Sequence, residues 1–271
     1  MQHAEKTFLA KDHRQAFDLL FQVAMREISA RYRGAILGLF ASLINPLMML
    51  GAYAVVFGWV FNGHYYLKPS ETRADYVTAL FSGLVIFNYF AECLSRAPTL
   101  ILANPNYVKK VVFPLELIPV SANVAALFHL GISAIPLVGA IVFFGGGLNP
   151  GAAWAVMILI PLVFLAQGVL WMLAAFGVFI RDLGLLIGTL TQILMFGSAI
   201  FYRIGSLPEP FRNIISFNPL AQIIEMARGA LIAGIPPDLR VFGLVLVVSI
   251  FFCALAFECF KRCRPAFADV I

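Results

Sequence analysis

The sequence predicts an all-α integral membrane protein: six transmembrane helices, an amino-terminal amphipathic helix at the inner surface, and re-entrant helices on the outer side. Three observations carry this. From Leu117 to Ile180 there is no Asp, Glu, Lys or Arg, and Gly145-Gly146-Gly147-Leu148-Asn149-Pro150-Gly151 divides that stretch as a turn would divide two crossings. The 271 residues are 61% hydrophobic and 12% charged, where a soluble domain carries roughly 25% charged residues. The Lys and Arg residues cluster beside the apolar runs, the pattern of cytoplasmic flanks.

Low-charge windows place the crossings near 35–62, 76–95, 117–144, 152–179, 183–202 and 240–260. A bilayer core takes about 20 apolar helical residues to cross. The first window is strong, since Gly34 to Leu67 holds no charged residue, and the last two lie near the short limit. An even count returns both termini to one side. Of the 19 Lys and Arg residues, 13 then share the side of the termini: Lys6, Lys11, Arg14, Arg26, Arg31, Arg33, Arg96, Lys109, Lys110, Arg181, Lys261, Arg262 and Arg264. Six face the other side: Lys68, Arg73, Arg203, Arg212, Arg228 and Arg240. This bias makes both termini cytoplasmic. The chain divides into a cytoplasmic segment over 1–34, a membrane domain over 35–260 and a tail over 261–271.

The residues for several chemistries are missing. No G-x-x-x-x-G-K-[ST] loop occurs and Gly-Lys is found nowhere, so ATP has no phosphate cradle here. There is no H-E-x-x-H, the four histidines are scattered, and no span carries a carboxylate pair, which argues against an enzyme or a metal centre. His129, alone in the third span, reads as a hydrogen-bonded packing residue. Cys93, Cys253, Cys259 and Cys263 form no CxxC pair and read as small apolar residues. Glu92, Arg96, Glu116, Arg181, Asp182 and Glu258 all fall near span ends, leaving no proton or sodium path. The driving force is expected from another chain. The net charge of +5 is explained by membrane flanks rather than by nucleic acid. The polar first 33 residues show no cleavable signal peptide, so insertion is expected to use the first span.

Three segments are neither span nor simple loop. In residues 12–33, Phe17, Leu20, Phe21, Ala24 and Ile28 recur at helical spacing, opposite Asp18, Gln22, Arg26, Ser29 and Arg33. Such a helix lies along the inner leaflet, as a plain anchor or with its polar face turned to a partner. The connection 97–116 holds Pro98, Pro105 and Pro114 and cannot be one long helix. It reads as a short, stiff element projecting from the membrane, and its residues alone do not distinguish it from an ordinary loop. Residues 203–238 are too apolar for a solvated loop and too rich in proline to span. A pair of short helices is expected there, the second opening at Asn218-Pro219, either at a pore mouth or as an interfacial lid. Aromatic residues gather at Tyr53, Phe57, Trp59 and Phe61, at Phe87, Tyr89 and Phe90, and at Phe196, Phe201 and Tyr202. They form an interfacial belt or a surface that stacks on sugar rings.

Several stretches, in order, resemble the membrane subunit of type-2 ABC exporters for cell-surface polysaccharides, the O-antigen, capsule and teichoic-acid permeases. They are Arg31-Tyr-Arg-Gly-Ala-Ile-Leu-Gly-Leu39 ahead of Asn45-Pro46, Asn106-Tyr-Val-Lys-Lys-Val-Val-Phe-Pro-Leu-Glu116, Arg181-Asp-Leu183, Leu207-Pro-Glu-Pro-Phe211 with Asn218-Pro219, and Phe267-Ala-Asp269. The O-antigen branch is the most similar in this comparison of motifs. The resemblance implies a homodimer in the bacterial inner membrane, with an ATPase subunit under each half that binds ATP and Mg, and no cofactor on this chain. The implied substrate is an undecaprenyl-pyrophosphate-linked polysaccharide, with membrane lipid as the surroundings. Residues 12–33 become an interface helix, 97–116 the coupling loop and 203–238 the periplasmic gate segment. The implied ATPase contacts are Arg26, Arg31, Arg33, Leu100, Asn104, Asn106, Lys109 and Lys110. The basic ones among these also suit the carrier pyrophosphate, or simple positive-inside flanking. The implied pore lining is Tyr53, Phe57, Trp59, Phe87, Tyr89, Phe90, Phe201 and Tyr202, and the gate is Phe211, Phe217, Asn218, Glu225 and Arg228. Two other readings of the chain stand beside this one: a permease for a small amphiphile, and a membrane enzyme acting on lipid-linked sugars.

Overall fold

A computed structural model describes residues 18–29, 38–60, 64–67, 71–109, 114–144, 147–180 and 182–270, among which there is no strand. Helix α1 covers residues 18–29. Helix α2 runs Gly38–Tyr53 and continues as a wider π-helical turn over Ala54–Val60. Then come α3, Arg73–Arg96, the short α4, Pro105–Lys109, and α5, Leu117–Phe144. Helix α6 is Ala153–Phe179 and α7 is Leu183–Gly197. Two short helices follow, α8, Glu209–Ser216, and α9, Pro219–Arg228. Helix α10, Leu239–Cys263, leads into the terminal α11, Phe267–Val270.

Five helical stretches among the described residues are long and apolar enough to cross a bilayer: Leu43–Val60, Arg73–Thr99, Leu117–Phe144, Pro150–Phe179 and Leu239–Val270. Of the expected sixth crossing, 183–202, only Leu183–Gly197 is helical. Helix α7 has 15 residues and stops at Gly197, so at 1.5 Å per residue it measures about 22 Å, short of the ~30 Å hydrocarbon thickness. Its end is marked by Ser198, whose hydroxyl bonds back to the Leu194 carbonyl at 2.6 Å, and by Ala199 at φ +54°. The second crossing is longer than its uncharged window, because Thr72 and Asp75 close a reciprocal capping box that starts α3 at Arg73.

Helix α3 is the axis of the core. From Tyr76 to Leu94 nearly every side chain is buried, against α5, α6, α7 and α9. Helix α6 lies between α10 and α3. Inside this apolar packing sits one polar chain: the Tyr89 hydroxyl donates to Asn123 Oδ1, and Asn123 Nδ2 donates to Gln167 Oε1 at 2.8 Å. In a low-dielectric core such a chain fixes the register of the three helices it joins.

Candidate functional site

Two polar constellations stand at opposite ends of the bundle. At the end that carries α1, neighbouring residues of that helix reach two different elements. Arg26 Nη1 donates to the Tyr107 hydroxyl at 2.7 Å, and its guanidinium lies 5.3 Å from that ring's centre; Nη2 donates to Asn104 Oδ1 at 3.4 Å. Glu27 accepts from Arg96 Nη2 at 2.7 Å and from Ser121 Oγ at 3.4 Å. Arg96 lies 3.8 Å from Glu92, which also holds His129 Nδ1 at 2.8 Å, the hydrogen-bonded role expected of that histidine. Helix α1 is thereby clamped to the 97–116 connection on one side and to α3 and α5 on the other. Its packed face is rotated from the expected one. Val23 and Ala24 are buried, whereas Phe21 and Met25 are exposed, because the stripe that meets the protein is centred on residues 20, 23, 24, 27 and 28.

The 97–116 connection does not project as expected. A 3₁₀ turn, Ala97–Thr99, packs on α6 so closely that a Cβ on Gly177 would collide with the Pro98 carbonyl. Leu100 and Ile101 are buried behind it. Of the residues expected to face an ATPase, Leu100 thus points into the chain, Asn104 and Arg26 bond to each other, Asn106 is exposed in α4, and Lys109 closes that helix. Arg31, Arg33 and Lys110 lie outside the described residues.

At the opposite end, the main-chain carbonyls released where α7 stops are taken by side chains. Asn218 Nδ2 donates to Gly197 O at 2.9 Å, and Arg228 Nη2 donates to Ala199 O at 2.8 Å and Ile200 O at 2.9 Å. Arg228 Nη1 reaches Tyr202 O at 3.4 Å, the Tyr65 hydroxyl donates to Ile200 O, and the Tyr202 hydroxyl donates to Phe196 O. Arg228, expected in the gate, is 0% exposed. Its charge is answered by Glu225 Oε2 at 3.4 Å and by the face of the Tyr65 ring. Glu225 also holds Arg203 at 3.4 Å, which donates to Tyr65 O and Tyr66 O at 3.3 and 3.1 Å. Burial pushes the Tyr65 phenol well above its ordinary range, with the Arg228 charge pulling it partly back. Asn218 caps α9 through the Leu220 N–H, and Pro219 is the first helical residue, as the sequence predicts. Phe211 and Phe217 on α8 and its flank are exposed, Phe217 to 89%.

The expected pore aromatics separate into four groups. Tyr53, Phe57 and Phe201 form a continuous run with Phe196, at ring-centre distances of 5.8, 5.7 and 5.7 Å, which joins α2 to the end of α7. Trp59 is 78% exposed. Phe87, Tyr89 and Phe90 are buried in the core of the chain, and Tyr202 is half-buried. Glu27 and Tyr107 of the first constellation, and the separate pair Glu116–Arg264, are not singled out as site residues by the sequence, since their partners lie tens of residues away. Among the described residues no group of three or more His, Cys, Asp or Glu is placed to hold a metal ion.

The two constellations fall within a match to the family model described as ABC-2 type transporter, over residues 18–232. An O-antigen export system permease protein, RfbA, of Klebsiella pneumoniae is 25% identical over 260 residues, covering 94% of this chain and 95% of its own. RfbA of Myxococcus xanthus is 24% identical and covers 97% of this chain and 99% of its own. The polysialic acid transport protein KpsM of Escherichia coli is 23% identical over 215 residues, 78% of this chain and 80% of its own. With the family model spanning most of its length, and apolar helices to match, this multi-pass chain belongs to the ABC-2 type transporter family as a transport subunit.

Proposed function

We propose that this chain is the permease subunit of an ABC exporter that passes a lipid-linked polysaccharide of the O-antigen or capsule class outward across the inner membrane. The single observation that carries the reading is end-to-end similarity to O-antigen export permeases, over nearly the full length of both chains. The chain acts as a homodimer, and a separate ATPase subunit docks beneath each copy. Residues 12–33 and the 97–116 connection form the docking face, with both termini in the cytoplasm. The bonds from Arg26 and Glu27 support this, since a push on α1 or α4 is delivered directly to α3 and α5. Helix α7 makes the sixth crossing, completed by the turn that Arg228 holds and by the outer pair α8 and α9, which gate the exit. The run Tyr53–Phe57–Phe201–Phe196 offers apolar ring faces to sugar C–H surfaces. The exposed edge Phe21–Met25 suits lipid tails of the inner leaflet.

The test is deletion of the gene in its host. Loss of surface polysaccharide, with polyprenyl-pyrophosphate-linked chains accumulating inside, is the expected result. It must be restored by this chain together with an ATP-hydrolysing subunit. Unchanged surface polysaccharide, or transport by the purified chain with no ATPase present, overturns the reading.

A further inference from the structure

The carboxyl-terminal segment is docked rather than trailing. After α10 a 3₁₀ turn, Arg264–Ala266, carries the chain on in helical conformation into α11. Phe267 opens α11 and is completely buried, with ring centres 5.4 Å from Phe260 of α10 and 6.0 Å from Phe179 at the end of α6. Helix α11 lies against both α6 and α4. Three residues before Phe267, Arg264 Nη1 pairs with Glu116 Oε1 at 2.6 Å, at the point where the 97–116 connection enters α5. The backbone of Glu116 is held as well: its carbonyl accepts from Trp171 Nε1 at 3.3 Å, and the Trp171 ring lies 4.8 Å from Phe257. The other end of the connection is fixed by the contact of Pro98 with Gly177.

The connection is therefore gripped at both ends by α6, and at its far end also by the tail. A loop held only by its own backbone absorbs a displacement through its soft dihedrals, whereas one wedged between packed elements hands it on. We propose that Arg264–Val270 is a brace for the 97–116 connection, with Arg264 and Phe267 as positioning residues that keep α4 at a fixed distance from the inner ends of α6 and α10. The brace converts movement of α4 into movement of α6 and α10. This rests on the reading that α4 receives the push of an ATPase.

The experiment uses the full permease with its ATPase subunit. ATP hydrolysis is measured on the purified complex in phospholipid vesicles, and export is measured as surface polysaccharide in the host. Arg264→Glu reverses a half-exposed charge and leaves the core intact. It is expected to lower export about fivefold or more while hydrolysis and the amount of complex in the membrane stay within about twofold. The swap Arg264→Glu with Glu116→Arg is expected to recover at least about half of wild-type export. Phe267→Leu, which keeps an apolar side chain in the slot, is expected to act in the same direction less strongly. Wild-type export by Arg264→Glu, a swap no better than the single variants, or export loss that follows loss of complex from the membrane overturns the brace. Failure of the wild-type pair to export overturns the transport reading instead, so the two failures are distinguishable.

Discussion

The guanidinium carbon of Arg228 lies 4.1 Å from the centre of the Tyr65 ring, and both side chains are withdrawn from solvent. Together they close the end of α7: Arg228 donates to the Ala199 and Ile200 carbonyls, and the Tyr65 hydroxyl shares the second of these. Each buried carbonyl left without a donor costs about 1–3 kcal/mol. Arg228→Met removes the cation and the fork together, so it is expected to destabilise this end of the bundle by about 3 kcal/mol or more. Arg228→Lys recovers little of this, because one ammonium nitrogen cannot reach the carbonyls that Nη2, Nη1 and Nε serve from separate positions, nor lay a planar face over the Tyr65 ring. Trypsin cleavage after Arg203 and Arg212, compared with thermal unfolding in detergent, is the measurement. Unchanged cleavage in Arg228→Met would sink the assignment.

The pH dependence of the same end follows from Tyr65. Its phenol is held protonated well above its ordinary value of 10 by burial, against the opposing pull of Arg228. A group whose folded value is raised contributes its stability in full below the unfolded value, and that contribution is lost as the pH rises through the folded value. Protection of the 203–238 segment is therefore expected to be flat from about pH 6 to 9 and to decline above about pH 10. Tyr65→Phe keeps the ring beneath Arg228 and should abolish the alkaline decline. A decline of the same size in that variant would assign it elsewhere.

The sequence makes some of this arrangement plain and hides the rest for physical reasons. Leu117–Phe144 is legible end to end, because a helix in hydrocarbon must lack charge and this stretch lacks it. The start of α3 is concealed by the charges of Arg73 and Asp75, although Asp75 belongs to a cap and Arg73 is already the first helical residue. Asn218-Pro219 announces α9 because the cap is local. The stop of α7 after Gly197 has no comparably local signal, since the donors that permit it come from Tyr65, Asn218 and Arg228. The clamp on α1 is hidden in the same way: the apolar spacing in 12–33 identifies a helix, but no periodicity reveals that Glu27 meets Arg96 or that Phe21 is left outside.

Asn218 performs two separable tasks, and substitution divides them. Its Oδ1 accepts the Leu220 N–H at 3.0 Å to start α9, while its Nδ2 donates to Gly197 O to tether α7. Asn218→Asp keeps the cap and loses the tether; Asn218→Ala loses both. Losing the cap costs about 1 kcal/mol, so Ala is expected to lower the unfolding temperature further than Asp. Equal losses would mean that the tether alone matters.

Gly177 is the narrowest point between α6 and the 97–116 connection. A methyl group there meets the Pro98 backbone rather than a flexible side chain, so the strain cannot be relieved by rotamer change. Gly177→Ala is expected to cost about 1–3 kcal/mol, the usual range for overpacking. Gly188→Ala on α7, where a Cβ meets nothing within 4 Å, is the control and should stay within about 0.5 kcal/mol of wild type. Equal melting temperatures for the two variants would show that the close approach is not maintained.

The attachment of α1 rests on Glu27, whose carboxylate joins Arg96 and Ser121 from beneath the bundle. Breaking such a partly buried pair by reversing one charge costs more than deleting it, because Arg96 then faces a second cation at contact distance. Glu27→Lys is expected to release α1 from α3 while Arg26 still holds Tyr107, leaving the helix attached at one side only. Ala24, buried in wild type, supplies the reporter: a cysteine placed there should react slowly with a membrane-impermeant maleimide in the Glu27 background. With Glu27→Lys it should react about tenfold faster, the response to roughly 1.4 kcal/mol of lost attachment in an opening equilibrium. A second substitution, Arg96→Glu, restores opposite charges and should slow the reaction again. If labelling is fast in every background, α1 is not held by this pair. If it is slow in every background, Arg26 and the apolar contacts of Val23 and Ala24 hold the helix without Glu27.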